Sequence, residues 1–257
     1  MALTNQQLER YARHIILKDV GGGGQKKLLK SKVLVVGAGG LGSPILMYLA
    51  AAGVGNIGII DDDIVSLSNL QRQIIHQTKN LNTLKTASAK ELIFDLNPDV
   101  KVTLFNERLN KENSTKIISQ FDLVADGCDN FETRLIVNDV CFKTKTPLVS
   151  GALSQFEGQV STFRSFENST GGESLPCYRC FVPENPGDGD DNSCSEQGIL
   201  GVIAGVVGTF QATEVIKELL GIGDSLAGKL LLYDALSSQT RIINLKRDEH
   251  CKTCGRQ

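Results

Sequence analysis

From Ser31 onward, short apolar runs alternate with segments of helical periodicity, and that alternation sets the expected architecture. Val33-Leu34-Val35-Val36 is a continuous apolar run of strand length, the pattern of a strand buried on both faces. Leu41 to Ala52 reads as a helix and Ile57-Gly58-Ile59-Ile60 as a second strand. The series continues with a helix over Thr83 to Asp95, a strand over Val100 to Phe105 and a helix near Glu112 to Ser119. A strand at Leu123-Val124-Ala125, a helix over Phe131 to Phe142 and a strand over Pro147 to Ser150 complete it. Strands separated by helices predict a doubly wound α/β fold with a mostly parallel, Rossmann-like sheet.

The texture changes after Gly151. Gly158 to Arg164 alternates like an antiparallel strand open to solvent on one side, so the sheet is expected to continue with antiparallel strands. A helix over Gly198 to Leu220 and strands over Lys229 to Tyr233 and Arg241 to Leu245 follow. Between them, Pro183 to Gln197 is acidic and rich in Pro and Gly, which predicts a mobile loop. At the other end, Leu3 to Leu17 has near-helical apolar spacing and leads into Gly21 to Gly24, a helical arm on a flexible hinge. The expected parts are an arm over residues 1–30, a nucleotide-binding part over 31–150 and a mixed-sheet part over 151–257.

Composition narrows the function classes. A formal net charge of −2 lacks the basic footprint of nucleic-acid binding. The polar start MALTNQQLERYARHIIL does not read as a secretory signal, and neither of the apolar stretches Pro44 to Ile60 and Gly198 to Phe210 reads as a membrane span, so a cytoplasmic protein is expected.

Candidate chemistry begins at Gly37-Ala38-Gly39-Gly40-Leu41-Gly42, which follows a strand and opens a helix. Glycines there let backbone N–H groups approach a phosphate at the helix N-terminus. Asp61, at the end of the next strand, supplies the carboxylate that accepts from ribose hydroxyls. An adenosine phosphate ligand follows from this context, and the chemistry does not. Downstream, Ser68-Asn69-Leu70-Gln71-Arg72, Lys85 and Cys128-Asp129-Asn130 add cations to neutralise phosphates and a carboxylate, Asp129, to hold Mg²⁺. That set favours nucleotidyl transfer over the alternative, an NAD-dependent oxidoreductase on the same loop. An already ionised carboxylate as nucleophile needs no general base.

Seven cysteines include two C-x-x-C pairs, Cys177 with Cys180 and Cys251 with Cys254. Together they supply the four thiolates of a closed, structural Zn²⁺ site that would clamp the C-terminal tail; a redox pair is the other reading. Cys194 stands in the acidic loop, either as a thiol that attacks an activated acyl group or as an unreactive loop cysteine.

The glycine loop, Asp61, the Ser68 to Arg72 box, Lys85, Cys128-Asp129-Asn130 and both cysteine pairs resemble the MoeB/ThiF/HesA family, relatives of ubiquitin-activating enzymes. The resemblance spans nearly the whole chain. It implies a homodimer that uses ATP to adenylate the C-terminal Gly-Gly of a ubiquitin-like sulfur-carrier protein. It gives Gly37, Gly39, Gly40, Gly42, Ser68, Cys128 and Asn130 to the nucleotide seat, Asp61 to the ribose, and Asn69, Arg72 and Lys85 to the phosphates. Asp129 would hold Mg²⁺, and Arg13 would reach the phosphates of the other subunit. Ser154 to Gln159 and Tyr233-Asp234-Ala235 look closer to the molybdopterin-synthase activators, with MoaD-type carriers for molybdenum cofactor biosynthesis, than to the thiamin thiazole branch with ThiS-type carriers. The chain ends just after the cysteine knuckle, so a separate sulfur donor is expected.

Overall fold

The structure, a computed structural model, describes residues 2–183 and 198–255. Its centre is an eight-stranded sheet. In chain order the strands are β1 (Lys32–Val36), β2 (Asn56–Ile60), β3 (Lys101–Phe105), β4 (Leu123–Asp126), β5 (Leu148–Leu153), β6 (Glu157–Phe163), β7 (Lys229–Asp234) and β8 (Gln239–Asn244). Across the sheet the order is β3-β2-β1-β4-β5-β6-β7-β8, parallel through β5 and antiparallel from β5 to β8.

Strand pleating splits the core into two layers. On β1, Val33 and Val35 enter one cluster while Leu34 and Val36 enter the other. The first layer is roofed by α4 (Gly42–Ala52), α5 (Lys85–Leu96) and the long α9 (Gly201–Leu220), which packs on α4, β5 and β6. The second is covered by α6 (Ser114–Ile118), α7 (Phe131–Thr144) and the short α8 (Tyr178–Phe181), with Tyr178 edge-on to Phe163.

Three local expectations are corrected. The arm is not one helix: α1 (Asn5–Arg10) and α2 (Ala12–Ile15) are separated at Tyr11, whose ring is buried and whose hydroxyl accepts from Asn97 Nδ2 at 2.9 Å. Gly21 to Gly24 is not a hinge but the first turn of α3 (Gly21–Lys30). Each interior glycine costs a helix about 1 kcal/mol relative to alanine. Burial of Leu28, and of Gln25 with its amide donating to Ala52 O at 2.9 Å, offsets that cost. Nor does β6 face solvent, because Val160 lies in one core layer and Phe163 in the other. Helix α9 covers the face of Gly158 and Val160, and Tyr178 packs on Phe163 on the opposite face, so both sides of the strand are occupied. The predicted loop and Cys194 fall outside the described residues beyond Pro183.

Candidate nucleotide site and cysteine clasp

The strand order reverses between β1 and β4, and the glycine loop lies at the carboxyl end of that switch point. Gly37 has φ +90°, a conformation that favours glycine, and its N–H donates to Ile60 O at 2.9 Å. A Cβ on Gly42 would sit 1.9 Å from Gly37 O, so the loop folds tightly back on itself before α4 begins.

Ala38 is held from both sides. Its N–H donates to Asp61 Oδ2 at 2.8 Å, and its carbonyl lies 2.8 Å from His76 Nε2. Asp61 Oδ1 also accepts from Asp63 N at 2.9 Å. Burial raises the Asp61 carboxyl above its usual range, and the nearby Lys85 cation partly offsets this. Lys85 is the first residue of α5 and its side chain is only 7% exposed; its Nζ donates to Asp63 Oδ2 at 2.7 Å. A buried cation at the positive end of a helix is doubly disfavoured, and such expensive charges concentrate at functional sites.

The Ser68 to Arg72 segment begins in a short 3₁₀ turn, Leu67–Asn69, which Asn69 closes by accepting from Ser66 N at 3.1 Å. Arg72 Nη1 donates to Ser68 O at 3.1 Å, and the Arg72 stem lies over Gly40, its Cγ 3.7 Å from where a Cβ would project. Gln73 packs under Gly39, its buried Oε1 without a hydrogen-bond partner among the described residues.

On the β4 side, Gly127 N donates to Val36 O at 2.9 Å and brings Cys128-Asp129-Asn130 beside the glycine loop. Asp129 is exposed and makes no hydrogen bond or ion pair among the described residues. Asn130 is the cap of α7, its Oδ1 accepting from Thr133 N at 2.8 Å. Cys128 is half-buried, and burial, then Asp126, pushes its thiol well above the ordinary range, which leaves it unreactive.

Behind this loop lies a buried network that sequence reasoning missed. Arg134 is 6% exposed; its Nη2 donates to Cys128 O, its Nη1 lies 3.4 Å from Ser150 Oγ, and Asp126 Oδ2 is 3.7 Å away. Burial works against the guanidinium charge, but Asp126, together with Cys128 and Tyr178, outweighs that cost and the pKa is raised. Ser150 Oγ and Gln211 Nε2 donate to the Asp126 side chain and carbonyl at 3.0 and 2.8 Å. In the sequence, Arg134 is one more cation on a helix, and nothing local marks it as buried. Arg13, exposed on α2, has no hydrogen bond or ion pair to this site among the described residues.

A hollow of about 310 Å³ opens in the antiparallel half, lined among others by Ser154, Glu157, Gln159, Tyr233 and Arg241. Strand β5 joins it to the nucleotide pocket, since Ser150 touches Asp126 at one end and Leu153 lines the hollow at the other.

The four paired cysteines converge, with every Sγ within 4.8 Å of the others. Cys177 and Cys251 are 3.5 Å apart, Cys180 and Cys254 3.4 Å. Tetrahedral zinc with Zn–S of about 2.3 Å puts sulfurs about 3.8 Å apart, so the set is at the size of a four-cysteine zinc site. Arg179 forks onto Asp139 of α7 with bonds of 2.8 and 2.7 Å, and Thr253 donates to the same carboxylate. Both arms of the clasp are thus moored to one helix.

The profile described as the ThiF family matches residues 11–253. The chain is 46% identical over 255 residues to a sulfur carrier protein adenylyltransferase of Thermus thermophilus, covering 99% of this chain and 93% of that one. It is 45% identical over 255 residues to a SAMP-activating enzyme E1 of Haloferax volcanii, covering 99% and 92%. Among solved structures, Escherichia coli MccB with ATP superposes with a TM-score of 0.81 at 20% identity, covering 96% of this chain and 75% of that one, a likeness of fold. With the sheet order, the glycine loop and the match along the whole sequence in agreement, the chain belongs to the ThiF family and is an adenylyltransferase.

Proposed function

We propose that this enzyme adenylates the C-terminal Gly-Gly carboxylate of a ubiquitin-like sulfur-carrier protein of the MoaD type, releasing pyrophosphate, for molybdenum cofactor biosynthesis. The observation that supports the reading is a tightly folded glycine loop with Arg72 lying over Gly40 and with Ala38 N hydrogen-bonded to Asp61, a carboxylate that feels the Lys85 charge. Cations set beside such a loop suit the neutralisation of transferring phosphates. Relatives named for activating sulfur carriers or SAMP support the carrier as substrate.

The residues divide the work as follows. The glycine loop and the N-terminus of α4 seat the ATP phosphates, and Asp61 faces the ribose. Arg72 and Lys85 neutralise the charge that develops as the carrier carboxylate attacks the α-phosphate and pyrophosphate leaves. The unpartnered Asp129 carboxylate fits a Mg²⁺ ligand, and the bound ion would screen the phosphates. The hollow along β5 to β7 receives the carrier's tail, which β5 then directs toward Asp126 and the pocket. The four thiols hold a structural Zn²⁺, with no open position for substrate.

Arg13 points to a homodimer in which each subunit completes its partner's site. Exposed Leu67, Ile74, Leu200 and Val202 lie beside the pocket and supply apolar surface for a second copy.

Carrier-dependent exchange of labelled pyrophosphate into ATP tests the proposal. Exchange with a MoaD-type carrier is expected. Exchange with only a ThiS-type carrier would move the enzyme to thiazole synthesis, and exchange with neither would remove the assignment.

A further inference from the structure

We infer that His76 is a positioning residue that holds the glycine loop, the Ser68 to Arg72 segment and Lys85 in one register. His76 is 5% exposed and makes two side-chain contacts, one to Ala38 O at 2.8 Å and one to Ser88 Oγ at 2.9 Å. A carbonyl oxygen only accepts, so Nε2 carries the proton, and Nδ1 then accepts from the Ser88 hydroxyl. That assignment uses every polar atom of the ring and fixes its tautomer.

The three elements joined are the three cationic and backbone parts of the pocket. Ala38 is the second residue of the glycine loop, and its N–H is already tied to Asp61, so the peptide planes on both sides of it are oriented. Ser88 lies three residues after Lys85 on α5, on the same helix face. His76 itself ends the segment that carries Arg72, through His76 N to Gln73 O at 3.1 Å and Gln73 N to Asn69 O at 2.9 Å. Loss of the imidazole would leave the Ala38 carbonyl buried without its donor and release α5 from the loop. The group works through the loop and touches no reacting atom. Burial, and then the Lys85 charge, holds the imidazole pKa below its ordinary value and keeps the ring neutral.

The inference rests on the ATP reading above, and the experiment separates the two. His76→Leu, His76→Gln and Ser88→Ala are compared with the wild type by KM and kcat in carrier-dependent pyrophosphate exchange. Amide hydrogen exchange over residues 37–42 of the ligand-free chain is followed in parallel. His76→Leu is expected to raise the KM for Mg·ATP at least about tenfold, leaving the KM for the carrier within about twofold. His76→Gln, whose amide nitrogen can donate to Ala38 O, should recover most of that loss, and Ser88→Ala should show a smaller rise. An unchanged KM for Mg·ATP in His76→Leu, or equal impairment in His76→Gln, would overturn the inference. If the wild type shows no exchange at all, the proposed function fails instead. The amide protection then decides: lost in His76→Leu and kept in His76→Gln supports the junction, while equal protection in all variants overturns it.

Discussion

The nucleotide pocket and the cysteine clasp are held together by opposite means. In the pocket, several backbone groups are tied down by buried polar side chains: Ala38 between Asp61 and His76, Cys128 O under Arg134, Asp126 under Ser150 and Gln211. In the clasp, four thiols crowd within 4.8 Å and the strand before it, β8, is exposed at every residue. The first region is preorganised by folding; the second gathers four thiols that could hold a metal ion. Helix α7 connects them, with Asn130 at its start beside the pocket and Asp139 further along receiving Arg179 and Thr253.

That contrast breaks most sharply at the clasp. Removing zinc with a chelator, or Cys251→Ser, should unfold the C-terminal tail, because binding free energy in such sites is folding free energy, on the order of 10 kcal/mol in small zinc modules. Metal analysis checks the premise: less than about half an equivalent of zinc per chain would favour free or redox thiols. If the pocket is independently built, Mg·ATP should still stabilise the metal-free chain in a thermal melt.

Next in size is Arg134→Met. It leaves Asp126 as a buried, uncompensated charge and should cost about 3–5 kcal/mol. Thermal denaturation should shift down by about 10 °C, at a few degrees per kcal/mol for a chain of this size. An unchanged melting temperature would mean that the network contributes nothing to stability.

Asp129→Ala should do the reverse, sparing stability because the residue is exposed and unpaired, and lowering pyrophosphate exchange about 10²- to 10³-fold. Normal exchange by this variant would remove the metal-ligand role.

The smallest effect is a pH dependence. In the unfolded chain His76 takes up a proton near the ordinary histidine value of 6.5, whereas the buried ring resists it, so its contribution to stability is complete above about pH 6.5 and falls as the pH drops below that. Asp61 has the opposite sign at lower pH. Its folded carboxyl protonates above the ordinary value of 3.8, so the stability linked to it is present below that pH and is lost as the pH rises through the folded value. Urea melts of the wild type and His76→Gln between pH 5 and 7.5 should differ in slope, with the variant flatter.

The order of strands and helices, the parallel-to-antiparallel change, the glycine loop and the pairing of four cysteines are all legible along the chain. Each is written in local pattern: apolar runs of strand length, glycines where backbone must come close, thiols at ligand spacing. Tertiary structure alone decided the rest. Gly21 to Gly24 is helical because Leu28 and Gln25 have a place to be buried, a fact located in Ala52 and Leu220. His76 matters because Ala38 lies 38 positions away, and Arg134 because Asp126 and Ser150 converge on it from two strands. Local periodicity reports which face of an element is apolar. It carries no record of which distant donor meets which buried acceptor, and in this protein the preorganisation of the nucleotide pocket resides in those meetings.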